Sequence, residues 1–226
     1  MKYWIILIIA FLFVRPVVAI TNPLAVPNNR YGIHIADPND IPDVAPLVNS
    51  SGGDWGYVTL VIPKTDQNSD AWQKKFNEMR RQHLIPIVRL ATTIDGASWI
   101  KPTKEDIRDW VSFLTSLNWP TQNRYVILFN EPNHANEWGS TIDPEGYADL
   151  FVAFADSLNQ ASPDFFVLPA GLDVSAASDG RSLDAADYLS RMITAKPELL
   201  DKMDGWTSHS YPNPSFSGSP YARGRG

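Results

Sequence analysis

The sequence has no cysteine. Disulfides and thiolate metal sites are therefore excluded, and a chain of this size can bury a core without such staples. Histidine is scarce as well. His34, His83, His134 and His209 are the only four, and none stands at a close metal-ligand spacing from another. No metal is expected on that ground, and no cofactor. Basic residues are outnumbered, 19 Lys and Arg against 25 Asp and Glu, and they form no stripe. A net charge of −6 without a basic patch argues against nucleic acid as a partner. Also missing is a glycine-rich turn after the first β-like run, which ends His34-Ile35-Ala36-Asp37-Pro38. An open nucleotide-binding sheet normally carries such a turn there.

Long apolar runs are absent except at the start. Met1-Lys2 supply a positive charge, Tyr3 to Val14 are apolar, and Val17-Val18-Ala19 offer small residues for cleavage. The run is short for a membrane span and is broken by Arg15 and Pro16, so it reads as a secretory signal peptide cut after Ala19. The alternative is an uncleaved anchor. Signal removal takes Lys2 and Arg15 with it and moves the net charge from −6 to −8. The expected location is secreted, cell-surface or periplasmic, with no membrane contact after cleavage. Residues 1–19 are left out of fold reasoning, 20–30 read as a linker, and 31–226 as one domain.

What the chain does have is high aromatic content, including eight tryptophans, and a repeated alternation. Short β-like runs at Tyr31–Ile35, Trp55–Ile62, Ile85–Leu90, Tyr125–Asn130, Phe165–Ala170 and Gly205–Tyr211 alternate with helical periodicity. The helices are a weak one at Pro42–Val48, then Asp70–His83 with Trp72, Phe76, Met79 and His83 in helical register. A third opens at Thr103, where Asp106 makes a near capping box, and shows an Ile107, Trp110, Val111, Leu114, Leu117 face. Asp143 caps the next ahead of Pro144, with Tyr147, Leu150, Phe151, Phe154 and Leu158 inward, and Leu183–Ala195 follows. Trp72 and Trp110 belong to helix packing.

Strand–helix units recurring at about 35 residues imply a parallel sheet with helices outside. A doubly wound sheet and a closed (β/α)8 barrel both fit, and the missing glycine-rich turn favours the α/β TIM barrel. Eight units make such a barrel, and about 70 further residues are needed beyond the six strands found here. An incomplete barrel of about six units, from a truncated reading frame, is the expectation, with Pro212–Gly226 as a loop. The unpaired edges of its first and sixth strands invite aggregation.

The chemistry concentrates at Tyr125-Val126-Ile127-Leu128-Phe129-Asn130-Glu131-Pro132. In TIM barrels, active sites gather at the C-terminal ends of the strands, and Glu131 stands at the end of the fourth. Glycoside cleavage needs a proton for a poor leaving oxygen and a second carboxyl group on the other face of the sugar, about 5–5.5 Å away when configuration is retained. The acid must reach its substrate protonated, which calls for burial or a neighbouring negative charge.

The sequence resembles the clan A glycoside hydrolases, retaining sugar-cleaving (β/α)8 enzymes, over about residues 30–213. In that clan the fourth strand ends in Asn-Glu, usually followed by Pro. The resemblance makes Glu131 the general acid/base and Asn130 the partner of the sugar 2-hydroxyl. Ser208-His209-Ser210-Tyr211 matches the His and Tyr often carried two residues apart on the sixth strand, where alternation puts both on one face. Arg89, in Pro86-Ile87-Val88-Arg89-Leu90, matches the arginine near the end of an early strand; a structural ion pair is its alternative. His34 is a further candidate for the sugar site, against a buried histidine satisfied by hydrogen bonds. Trp138 is a candidate for stacking on a sugar ring, against simple packing in its loop. The resemblance implies a poly- or oligosaccharide substrate cleaved by double displacement.

The clan's nucleophile ends the seventh strand. No Asp or Glu follows Asp204 here, and Glu137 and Asp173 do not stand where the clan places it. The chain as given is therefore expected to be inactive alone. A non-catalytic carbohydrate-binding protein with a degenerate barrel is the second reading, and an open α/β domain with an unrelated ligand the third.

Overall fold

A computed structural model describes residues 22, 25, 28–50 and 52–211. The expected signal peptide Met1–Ala19 and the expected loop 212–226 lie outside the described residues. Five parallel strands form one sheet: β1 (Asn28–His34), β2 (Trp55–Pro63), β3 (Leu84–Ala91), β6 (Arg124–Leu128) and β7 (Phe165–Pro169). Between β3 and β6 comes a small antiparallel hairpin of β4 (Ile94–Asp95) and β5 (Ser98–Trp99). Five helices connect the strands: α1 (Ile41–Val48), α2 (Ser69–Arg81), α3 (Glu105–Ser116), α4 (Pro144–Ala161) and α5 (Ala185–Ala195).

The strand order β1-β2-β3-β6-β7 never reverses. A doubly wound sheet reverses at its switch point, so the order is that of a TIM barrel. The described residues supply five staves and the start of a sixth. After β7 the chain kinks at Ala170-Gly171 and continues as β8 (Leu172–Asp173), which pairs in parallel with β9 (Ser208–His209).

The core lies between sheet and helices. Val58, Leu60, Ile62, Val88, Leu90 and Val126 are wholly buried on the helix side, against Trp72, Phe76, Trp110, Phe151 and Phe154. Each such side chain contributes roughly 1.5–3 kcal/mol of burial. The alternate residues Tyr57, Thr59, Arg89, Tyr125 and Ile127 face the other way and are half-buried. That inner face carries the polar groups, because strand side chains alternate.

Local signals explain most boundaries. Asn68 caps α2 by accepting from the Ala71 N–H at 3.0 Å. Asp143 caps α4 through the Gly146 N–H at 2.8 Å, with Pro144 at the first position. Asp106 accepts from the Thr103 N–H at 2.9 Å, the carboxylate half of the expected capping box.

Three expectations need correction. β1 starts at Asn28, so the sheet takes the last three residues of the expected linker. His83 is not on the helix: α2 ends at Arg81, and His83 turns to φ 54° and stacks on Trp55 at 4.8 Å. The sixth strand is two residues long rather than Gly205–Tyr211. Before it, one backbone bond, from the Asp204 N–H to Val167 O at 3.1 Å, is supplemented by side chains. Asp204 accepts from the Val167 N–H at 2.7 Å, and the Thr207 hydroxyl donates to Pro169 O at 2.5 Å.

Candidate active site at the barrel mouth

The end of β6 breaks the alternation of its own strand. Regular alternation sends Asn130 and Glu131 to opposite faces. Here Phe129 takes φ 74° and Glu131 takes φ 31°. The first turn swings Phe129 to the helix side, where its ring meets Phe154 at 5.7 Å and Trp138 at 5.9 Å. Asn130 and Glu131 are then both free to face the mouth. Left-handed backbone at two bulky residues costs about 1–3 kcal/mol each and persists only where packing imposes it. The Phe129 aromatic cluster provides that packing.

Six of the seven sequence-selected residues meet here. His34, Arg89, Asn130, Glu131, His209 and Tyr211 line one cleft of about 280 Å3. The register explains how. His34 pairs with Thr59 on the neighbouring strand, and Arg89 pairs with Ile127, all on the inner face. The kink after β7 lets β9 lay His209 against Glu131. Nδ1 of His209 lies 2.5 Å from Oε1 of Glu131, with the two side chains 29% and 18% exposed. Gly171 makes room for this, since a Cβ there falls 2.7 Å from Cδ2 of His209. The His209 and Tyr211 rings are 5.9 Å apart.

Trp138, the seventh, is a correction. Its ring is fully buried, edge-on to Tyr147 at 5.2 Å and to Phe129. It ends the 3-10 turn Ala135–Glu137, which tucks it beneath the loop. It therefore packs under the site and presents no free face for a sugar.

The electrostatics follow from burial and neighbouring charge. Burial lowers the pKa of His34, and the Arg89 and His209 charges push the same way, so its imidazole stays neutral more readily than an ordinary one. Burial also lowers Arg89, against the opposing pull of the Glu137 and Glu131 carboxylates. Burial raises Tyr211, and the Glu131 and Asp173 charges add to it. Among the described residues, no group of three or more His, Asp or Glu side chains is placed to hold a metal ion.

Three features escaped sequence reasoning. Glu137 belongs to the site: Nδ2 of Asn130 donates to its Oε2 at 3.1 Å, and burial raises its pKa, as does the charge of Glu131. The wholly buried Asn133 ties the loop after β6 to the loop after β8. Its amide donates to Asp173 O at 3.0 Å and Leu183 O at 3.1 Å, and its Oδ1 accepts from the Asp173 N–H at 3.2 Å. Beside it, Nε2 of His134 lies 2.9 Å from Oδ2 of Asp173. Trp99 stands half-buried on β5 beside Arg89 and Asn130. The visible hints are an asparagine straight after Asn-Glu-Pro and the closeness of His134 to Glu131 and Glu137 in one loop; the hairpin leaves none.

The chain matches no family model and no curated protein. Solved structures do match. A monomeric β-xylosidase from Caulobacter crescentus superposes with a TM-score of 0.56 at 13% identity, over 82% of this chain and 43% of that one. A β-mannanase from Streptomyces thermolilacinus gives 0.52 at 16% identity, over 80% and 59%. A Thermomonospora fusca β-mannanase in complex with mannohexaose gives 0.52 at 13% identity, over 80% and 60%. The likeness is one of fold. The chain spans 43%, 59% and 60% of these three neighbours.

Proposed function

We propose that the chain is the acid/base-bearing part of a clan A type glycoside hydrolase, with Glu131 as the general acid/base and a neutral poly- or oligosaccharide as substrate. The observation that carries this reading is the paired turn of Asn130 and Glu131 into one cleft, where His209 holds the Glu131 carboxyl at 2.5 Å. Glu131 protonates the leaving glycosidic oxygen and then takes a proton from the attacking water. Asn130 engages a ring hydroxyl beside it without adding charge. Arg89, His34 and Tyr211 complete the lining. Fold similarity to glycosidases, one of them bound to mannohexaose, supports a sugar as the ligand. Export by residues Met1–Ala19 belongs to the same proposal.

Double displacement also needs a second carboxylate, and among the described residues lining the cleft Glu131 is the one carboxylate. That lining favours a second reading, a carbohydrate-binding protein that uses the same cleft without catalysis.

One experiment serves both. Mannohexaose, xylohexaose and cellohexaose are titrated into the protein while backbone and side-chain NMR signals are followed. Shifts at Asn130, Glu131 and His209 with at least one glycan support a sugar cleft, and no shift there with any of them refutes both readings. Release of new reducing ends that falls about 10²–10⁴-fold in Glu131→Gln assigns the enzyme; binding without release assigns the binder.

A further inference from the structure

Glu131 lines two hollows. One is the cleft it shares with His34, Arg89, Asn130 and His209. The second, of about 470 Å3, joins Glu131 and Tyr211 to His134, Asn136, Glu137 and Asp173. A third, of about 620 Å3, shares His134 and Asn136 with the second. The turn Ala135–Glu137 is thus the sill between them. The third hollow is walled by the β4–β5 hairpin, through Asp95 and Ser98, and by the loop after β8, through Asp179 and Arg181. Both walls are tied to the sill. Oγ of Ser98 donates to Asn136 O at 2.9 Å and accepts from the Ser140 N–H at 3.0 Å. On the other side the Ala135 N–H donates to Arg181 O at 2.8 Å.

Size and chemistry narrow the occupant. Ligand sites commonly measure about 300–1,000 Å3, so the two outer hollows together have room for more than one sugar ring. Among the described residues, no Phe, Tyr or Trp lines the third hollow, and every lining side chain except Ala97 and Ala135 is polar. Asn136 is exposed, and its bond to Ser98 is made by the backbone carbonyl, which leaves the carboxamide to the groove. A carboxamide both donates and accepts, as sugar hydroxyls do. Charge sets a second limit. Glu131, Glu137 and Asp173 line the second hollow, and Asp95 and Asp179 the third. Arg181 is the arginine on that lining, and it already lies 3.4 Å from Asp179. A carboxylate on the ligand meets like charge there.

The proton sets the direction. In the glycoside reading Glu131 protonates the oxygen that joins the departing group to the ring beside Asn130. That ring sits in the first cleft, so the departing group lies in the second hollow and beyond. We propose that the second and third hollows form one groove for the departing side of the substrate, an uncharged glycan of two or more sugars with its reducing end toward Asn136 and Arg181. The inference rests on the glycoside reading above. It specifies the departing group as a neutral sugar chain rather than an aryl, lipid or uronic acid group.

The test follows the protein by NMR while mannohexaose and xylohexaose are titrated in, each spin-labelled at either its reducing or its non-reducing end. With at least one of them, the reducing-end label is expected to broaden the Asn136, Ser140 and Arg181 amides, and the non-reducing-end label to leave them sharp. The unlabelled hexasaccharide is expected to bind about tenfold or more tighter than the disaccharide of the same sugar, and tighter than its phenyl glycoside or hexagalacturonate. In Asn136→Ala the gain from disaccharide to hexasaccharide is expected to shrink. That variant keeps the backbone bond to Ser98, and an unchanged melting temperature verifies its fold; should it fail to fold, the label map of the parent protein decides. Broadening of the groove by the non-reducing-end label instead overturns the proposal. Hexasaccharide shifts confined to Asn130, Glu131 and His209 overturn the groove and leave the glycoside reading standing. Equal or tighter binding of the phenyl glycoside or of hexagalacturonate overturns a neutral glycan as the departing group. Shifts with none of these ligands refute the glycoside reading and the groove together.

Discussion

His209 and Glu131 are 78 residues apart in sequence, and their side chains meet at 2.5 Å. The contact joins the end of the fourth stave to the short sixth one and fixes the carboxyl in the cleft. Gly171 is the residue that permits it. A methyl group at that position collides with the His209 ring at 2.7 Å from Cδ2 and 2.9 Å from Nε2.

Gly171→Ala is therefore expected to push His209 off Glu131. Overpacking of this kind typically costs about 1–3 kcal/mol, read as a fall in urea midpoint. If glycan binding depends on the His209 contact, Gly171→Ala and His209→Ala each weaken it, and the double variant is no worse than His209→Ala alone. Additive losses contradict the coupling.

Tyr147 offers a second test, at the roof of the core. Its hydroxyl donates to Leu128 O at 3.1 Å and accepts from the Ala170 N–H at 2.6 Å, bridging the ends of β6 and β7 where the ladder stops. Tyr147→Phe leaves both backbone groups buried and unpaired. The expected loss is about 1–3 kcal/mol, with faster hydrogen exchange at the Ala170 amide. Unchanged exchange there removes the bridge from the account.

Much of this architecture is legible in the residues themselves. The six β-like runs, the Asp143-Pro144 cap and the inward Tyr147, Phe151 and Phe154 face are short-range patterns, and short-range patterns survive folding. What is not legible is set by tertiary contact. Alternation along Tyr125–Asn130 assigns Asn130 and Glu131 to opposite faces, and only the left-handed turn at Phe129, held by Phe154 and Trp138, brings them together. By sequence Trp138 is a candidate for sugar stacking, but its ring is buried against Phe129 and Tyr147, contacts made only in the folded chain. The sixth strand is short, and the Asp204 and Thr207 side chains meet part of the β7 edge beside one backbone bond, an arrangement no periodicity records.

The Asn133 clamp predicts a local effect. Three hydrogen bonds from one buried amide hold the loop carrying Glu137 against the loop carrying Asp173. Asn133→Ala is expected to destabilise the protein by about 2–4 kcal/mol, since buried partners are left unmet. It is also expected to expose the 133–138 and 173–184 segments to proteolysis before the rest unfolds. Cleavage elsewhere first contradicts a local clamp.

Glu137 gives the protein a pH dependence of unusual sign for a carboxylate. Burial raises its pKa and the Glu131 charge adds to this, against the Asn130 hydrogen bond and the Arg89 and His134 charges. A raised folded value means that the folded state holds this proton more tightly than the unfolded chain. Its contribution to stability is then complete below the ordinary Glu value, about 4.3, and is lost as pH rises through the raised folded value. Glu137→Gln keeps the shape and removes the ionisation. The variant is expected to gain stability over the parent at neutral pH, with the gain shrinking as pH falls and gone below the ordinary Glu range. Thermal melts of both proteins from pH 4 to 8 measure it. A gain that grows on acidification contradicts the assigned burial, and a parallel loss of glycan affinity in Glu137→Gln at neutral pH ties the same carboxylate to the orientation of Asn130.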